Sequence, residues 1–312
     1  MDPSALSGAE AAPDARICCA CGGKRFTESY RVAGEVGEAG LIPTTVAYGT
    51  ALADIVRCVG CGHRQLDPMP AADRLAALYE IAESADYVDQ RAGQIATADR
   101  VLDRIEQFSG PGRIGDLGCW VGFLLIAAEA RGWSGQGVEP SQWAADYGRR
   151  EHGLDVQCAD LFNAELVPGS FDAIVLGDVI EHLVDPGAAL DRIATLLAPG
   201  GVLALALPDA GSRLARLMGR RWWAVIPTHV QYFSRDSVSA LLRAHRFGPL
   251  LIETQPKVFS VGYYLGRIGG YSERLGRIGV RVAARIGVAE RLWAPDFGDR
   301  MLVIARLCEP ED

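Results

Sequence analysis

Residues 114–125 read IGDLGCWVGFLL: an apolar strand, a loop bracketed by Gly118 and Gly122, and the first turns of an apolar helix. A strand-to-helix loop of this kind lies at the carboxyl end of its strand, where the first amides of the helix point at whatever binds there. The dinucleotide fingerprint, G-x-G-x-x-G, keeps its second glycine so that the backbone can approach a pyrophosphate closely. Trp120 holds that place here, and the glycines are spaced G-x-x-x-G. A pyrophosphate cofactor is thereby disfavoured. What remains is an adenosine ligand without pyrophosphate, with Glu139 at the end of the next strand placed to accept from two ribose hydroxyls.

Outward from this loop the alternation is regular. Strand RIGDLG, helix FLLIAAEARG, strand SGQGVEP, helix QWAADYGRREHG and strand LDVQCAD are followed by strand FDAIVLGD, helix PGAALDRIATLLAPGG and strand VLALALP. Together with LLIETQP and RMLVIARL they predict an α/β fold with a doubly wound, mostly parallel, seven-stranded Rossmann-like sheet. Ser234 is placed to cap the helix SRDSVSALLRAH. Upstream, residues 1–15 have the composition of a loose tail, and 16–70 read as a small module of short strands and turns. Residues 71–110 read as a helical linker and cofactor lid, leaving 111–312 as the main domain, with an arginine-rich substrate and lid region at about 212–292.

The 312 residues are 49% hydrophobic, enough for one full α/β domain plus something smaller. A formal net charge of -8 argues against a broad nucleic-acid surface, because phosphates are met chiefly by lysine and arginine. The N-terminus lacks the basic start and apolar run of a signal peptide, and no apolar run approaches the roughly 18 residues of a membrane span. A cytoplasmic protein is expected, and in that reducing compartment its eight cysteines are thiols or metal ligands rather than disulfides. ICCACGG and VRCVGCGH supply Cys18, Cys21, Cys58 and Cys61, two knuckles able to close a tetrahedral thiolate shell around zinc. A closed shell implies a structural ion and a zinc-ribbon-like module; Cys19 and His63 rank below the paired cysteines as ligands.

As a set, DLGCWVG at 116–122, Glu139-Pro140, Asp160-Leu161 and GDVIEHLVDP followed by LLAPGG resemble a class I S-adenosylmethionine-dependent methyltransferase over roughly residues 100–210. S-adenosylmethionine is also an adenosine ligand without pyrophosphate. The resemblance implies that Gly118, Cys119 and Gly122 pass under the methionine part of the cofactor. It further implies that Glu139 takes the ribose, that Asp160 and Leu161 meet the adenine, and that Asp116 orients the loop or a cofactor-bound water. Phe123, Pro140, Gly177, Asp178 and, from the lid, Tyr87 complete the expected cofactor set. A zinc module joined to such a domain resembles the sugar and natural-product methyltransferases.

Methyl transfer from a sulfonium is an in-line displacement, so the protein must align the partners, and a hydroxyl acceptor must also lose its proton. Among five histidines, His182 in GDVIEHL and His229 in VIPTHVQYFS are the candidate bases; helix-start structure for the first and a buried core role for the second are the alternatives. The second segment resembles the Y-x-E-H-x-x-Y-F-S stretch of sugar C-methyltransferases. His229, Tyr232, Phe233 and Ser234 match it, but Ile226 and Thr228 replace the tyrosine and glutamate, which favours O-methylation. Asp178, Glu181 and His182 offer a divalent-ion alternative, with magnesium favoured by oxygen ligands.

Between 212 and 250 seven arginines face one acid, and GRRWW at 219–223 adds two tryptophans. Guanidinium forks suit phosphate and indole faces suit a sugar ring, so an anionic, sugar-containing small molecule is the expected acceptor. The bland alternative is that arginine is simply this chain's cation, since 29 of its 31 basic residues are arginine. Residues 263–288 place Ile268, Tyr271, Leu275, Ile278, Val282 and Ile286 at three-to-four spacing, an amphipathic helix or helix pair expected to form a substrate lid or homodimer contact, with a membrane-surface role ranked third. RNA methylation and non-catalytic cofactor binding are the competing functions; the acidic charge counts against the first.

Overall fold

The computed structural model describes residues 16–34, 45–73, 75 and 88–308. The tail expected over 1–15, much of the expected lid and the candidate Tyr87 lie outside the described residues.

In chain order the N-terminal part supplies β1 (Phe26–Tyr30), β2 (Asp54–Cys58), β3 (Arg64–Asp67) and α1 (Arg91–Ile105). The main domain continues with β4 (Arg113–Leu117), α2 (Phe123–Ala130), β5 (Ser134–Glu139), α3 (Gln142–His152), β6 (Val156–Cys158), β7 (Phe171–Gly177), α4 (Pro186–Leu196) and β8 (Leu197–Pro208). After α5 (Arg213–Met218) come β9 (Gln231–Tyr232), α6 (Arg235–Ala244), β10 (Phe247–Thr254), β11 (Phe259–Ser260), α7 (Val261–Arg267), α8 (Glu273–Arg285), β12 (Leu292–Trp293) and β13 (Arg300–Leu307).

Seven strands form the central sheet in the order β10-β13-β8-β7-β4-β5-β6. The run from β8 to β6 is parallel, and β13 is antiparallel to both neighbours. This is the mostly parallel sheet expected from the alternation. The strands β7 and β8 are buried on both faces, which is why FDAIVLG and VLALALP read as near-continuous apolar runs. Each fully buried Leu, Ile or Val there contributes about 1.5–3 kcal/mol. From β4 the chain winds outward through β5 and β6, then returns to pair β7 on the other side of β4. That reversal opens a crevice at the carboxyl ends of the strands, with β4 at the switch point.

Local signals set the helix starts. Ser141 and Ser234 cap α3 and α6, and Ser234 forms a reciprocal capping box with Ser237. No helix among the described residues is long and apolar enough to cross a membrane.

A second sheet has the order β1-β2-β3-β9, so its last strand comes from the main domain. Arg64 and Gln65 pair with Tyr232 and Gln231. The 16–70 segment is therefore not self-contained: Cys18 and Cys58 share one apolar cluster with Leu205, Phe233 and Phe247.

Candidate active site

A cavity of about 1040 Å³ opens at the carboxyl ends of β4, β5 and β7. Asp116, Gly118, Cys119, Phe123, Glu139 and Pro140 line it, as do Asp160, Leu161, Gly177 and Asp178. The loop after β4 explains how a tryptophan replaces a glycine. The Gly118 and Cys119 amides both donate to Val138 O, at 2.7 and 3.1 Å, folding the loop over β5. Trp120, at φ 50°, then donates its own amide to Glu139 Oε2 at 2.8 Å, and its ring tilts against Trp143 with centroids 5.7 Å apart. Its backbone serves a carboxylate rather than a phosphate. Gly118 must stay glycine, because at φ 89° a Cβ would lie 2.5 Å from Val179 Cγ2.

Gly122 closes the loop at the start of α2. It does not line the cavity; it starts α2 at φ 84°, where a Cβ would meet Leu154 Cδ1 at 2.3 Å, so its role is in conformation and packing.

Glu139 takes a second amide, from Ser141, at 2.8 Å on Oε1. Burial raises its carboxyl to about 7 although the two amide bonds pull it down. Asp116 is raised to about 7 as well, by burial first and then by the Glu139 charge. Two buried acids thus share this wall, poised to ionise when cationic or hydroxyl-bearing groups arrive. Asp160 accepts from the amides of Phe162 and Asn163 at 2.7 and 2.9 Å, an Asx turn that holds the loop after β6.

His182 and His229 both line the same cavity. Their rings meet edge-on, with centroids 4.7 Å apart and an interplanar angle of 76°. His182 Nδ1 contacts Thr228 O and His229 Nδ1 contacts Ala224 O, each at 2.8 Å. A ring nitrogen facing a carbonyl must carry the proton, which makes Nε2 the basic nitrogen of a neutral His229. Burial lowers both imidazoles below their usual range, His229 well below it with the neighbouring His182 adding to the effect, so both are neutral at physiological pH. Being buried and facing the cavity are compatible for His229, and it does both.

The expected magnesium set is not assembled. Asp178 instead accepts from Lys257 Nζ and, at 2.6 Å, from Arg300 Nη2. Burial alone would raise its carboxyl, but the Arg300 and Lys257 charges outweigh that and hold it well below the usual range. Glu181 lies off the cavity wall at 2% exposure, and neither of its carboxyl oxygens has a hydrogen-bond partner among the described residues. Burial, then the Asp178 charge, pushes it up to about 8. One donor atom each from Glu181, His182 and His229 lie within 4.8 Å of one another, a nitrogen-rich group that does not suit magnesium.

The seven arginines at 213–246 also miss the cavity, none of them lining it among the described residues. Arg235 pairs with Asp209 at 3.2 Å instead. The cations that do line it are Lys257, Arg267 and Arg300. The outer wall is aromatic: Tyr48 from the N-terminal part, Trp223, Tyr263, Tyr264, Tyr271, Trp293 and Phe297. Trp223 and Tyr271 were among the expected substrate and lid residues, whereas Lys257, Arg300, Tyr48, Tyr263, Tyr264, Trp293 and Phe297 escaped the sequence reading. For the latter group a hint was the aromatic YY pair at 263–264 within an arginine-rich stretch.

The four paired cysteines converge, with all four sulfurs within 4.8 Å of one another. Cys18 and Cys61 sulfurs are 3.5 Å apart, and those of Cys21 and Cys58 are 3.6 Å apart. Zinc–sulfur bonds of about 2.3 Å in a tetrahedron put sulfurs about 3.8 Å apart, so the set fits zinc. Cys19 and His63 stand outside it. His63 Nε2 lies 2.9 Å from Gln231 Oε1, and Gln231 Nε2 donates to Leu183 O and Val184 O at 3.3 Å each. Hydrogen bonds therefore link the cysteine module to the segment after His182.

Comparison with known proteins agrees with this geometry. The chain is similar to an uncharacterized 37.1 kDa protein in transposon TN4556 of Streptomyces fradiae, 30% identical over 139 residues, 41% of this chain and 40% of that one. It is also similar to the ubiquinone biosynthesis O-methyltransferase of Ralstonia nicotianae, 33% identical over 95 residues, 28% of this chain and 40% of that one. The chain thus spans about 40% of the length of these curated relatives. Among solved structures, the 1,6-didemethyltoxoflavin-N1-methyltransferase of Burkholderia thailandensis, with 1,6-didemethyltoxoflavin and S-adenosylhomocysteine bound, aligns at TM-score 0.49 and 14% identity over 80% of this chain and 98% of that one. The family model for a methyltransferase domain matches residues 87–248, more than half of the chain and the part that builds the switch-point loops, and the protein belongs to that family, with the class I methyltransferase fold.

Proposed function

We propose that the protein transfers the methyl group of S-adenosylmethionine to a hydroxyl oxygen of a small-molecule acceptor. One observation carries the reading: a single cavity joins the buried Asp116 and Glu139 pair to the neutral His182 and His229 pair. When bound, the cofactor supplies a methyl group on a positively charged sulfur. The rest of the chemistry falls to side chains. Glu139 retains a lone pair on each oxygen beside its amide bonds, and these accept from the ribose hydroxyls. Asp160 and Leu161, which line the cavity, would border the adenine, and Gly118 and Cys119 the methionine part.

His229 Nε2 removes the acceptor proton as the oxygen attacks, with His182 packed edge-on to hold the ring. Lys257, Asp178 and Arg300 together carry one net positive charge on the cavity wall, which favours the negative charge that develops on the acceptor oxygen. The aromatic wall supports an acceptor with a flat or apolar ring body; a sugar ring stacked on Trp223 or Trp293 stays compatible, a free phosphate group less so. Cys18, Cys21, Cys58 and Cys61 are assigned to a structural zinc, a closed shell without room for substrate.

The test is calorimetric titration with S-adenosylmethionine, followed by transfer from methyl-labelled cofactor to a panel of hydroxylated ring compounds. One-to-one binding and transfer that His229→Ala abolishes are expected. Absence of binding heat would refute the proposal at its first step.

A further inference from the structure

Exposed apolar side chains are concentrated in one part of the molecule. Of sixteen large apolar side chains exposed among the described residues, nine fall within residues 268–297. Leu275, Ile278, Val282 and Ile286 form one stripe along α8. This stripe is not the packing face of the helix. Gly276 and Ala283 are the residues α8 buries, and a Cβ on Gly276 would come within 2.8 Å of Gly269 N in the turn after α7.

Beside the stripe runs a row of cations, Arg274, Arg277, Arg281 and Arg285. Residues 263–291 hold six arginines against two glutamates, a local charge of +4 in a chain whose formal net charge is -8. The exposed surface also runs into the site: Ile268, Tyr271, Trp293 and Phe297 are exposed and at the same time line the cavity.

We propose that this face docks on an anionic lipid bilayer and that the cavity takes its acceptor from the bilayer, as an amphiphile carrying the ring hydroxyl. The acceptor half of the proposal rests on the methyl-transfer reading; the docking half does not. An apolar stripe edged by arginine is the composition that lies in a headgroup layer. A second copy is a poor occupant, because face-to-face packing would set six arginines against six. An acidic protein would satisfy the arginines but gives no reason for apolar surface to continue into an apolar cavity.

The experiment is flotation of the full chain, without cofactor or acceptor, with vesicles of phosphatidylcholine and with vesicles containing roughly one third phosphatidylglycerol. Flotation with the anionic vesicles alone, reversed by about 0.5 M salt, is expected. Two triple variants, Leu275→Ser with Ile278→Ser and Val282→Ser, and Arg274→Glu with Arg277→Glu and Arg281→Glu, should each lower partitioning by about tenfold or more. Unchanged cofactor heat certifies that the variants fold. The proposal falls if wild type stays soluble at low salt, if both variants float like wild type, or if the apolar variant only converts a non-floating dimer to monomer. Failure of the methyl-transfer reading would register separately, as missing cofactor heat in a protein that still floats.

Discussion

The carboxylate end of the cavity and its histidine end are assembled over different distances along the chain. Asp116, Glu139 and Asp160 each stand in or beside a loop leaving a parallel strand, and the crevice at the β4 switch point gathers them by topology alone. The histidine end draws Tyr48, His182, Trp223, His229, Lys257 and Arg300 from across the sequence. His229 immediately precedes the segment that pairs with β3, through Leu66 N to Val230 O at 3.0 Å and the Gln65–Gln231 register. Damage to the cysteine module should therefore reach the acceptor end and spare the cofactor end.

Cys58→Ser should have the largest effect. Structural zinc provides about 10–16 kcal/mol in small zinc-dependent folds, so loss of a ligand should release the β1-β2-β3 sheet and leave β9 without its partner. Turnover is expected to fall by about 10³-fold or more, with one metal equivalent lost by elemental analysis and cofactor affinity held within about twofold. Equal loss of cofactor binding would break the contrast between the two ends.

His229→Ala comes next, lowering kcat by about 10²–10⁴-fold at unchanged cofactor affinity, as read by turnover and calorimetry together. His182→Ala should cost less, because it acts through the first ring. Glu139→Gln moves the effect to the other end: losing a charged acceptor of two ribose hydroxyls weakens cofactor binding by about 10–100-fold, and a labelled-acceptor binding assay should see no change.

The smallest effect is in pH. The Asp116 and Glu139 carboxyls are raised to about 7, above their usual range, so a cationic ligand favours their ionised forms. Cofactor affinity should rise between about pH 6 and 8 and then level, with proton release detectable by calorimetry in buffers of different ionisation enthalpy. For the ligand-free protein the sign is reversed. An acid whose folded pKa is raised stabilises below its unfolded value near 4 and loses that contribution as pH rises through 7, so Tm should fall across that window and the cofactor should flatten the slope.

Legibility follows the same division. Gly118 and Glu139 were legible because strand, turn and helix signals fix where each loop begins, whereas Asp160 was picked out by the family resemblance. For Gly122 a G-x-x-x-G spacing does not show the crowding by Leu154 that also requires a glycine there. The arginines at 213–246 drew attention by density, yet density along a chain does not say which face of a fold they reach. Lys257 and Arg300 carry no local motif, and only the pairing of β13 against β8 brings Arg300 to Asp178.

By itself the sequence determined the parallel sheet, the loop that replaces a pyrophosphate site, its acidic partner and the four cysteines, because each follows from periodicity or spacing within a few residues. Tertiary structure alone decided that the cysteine module and the main domain share a sheet, that Asp178 answers to two cations rather than a metal, and that aromatic rings, with Arg267 among them, rather than the arginines of 213–246 wall the outer cavity. Those outcomes depend on contacts between residues far apart in sequence, whose burial and pairing energies no local pattern encodes.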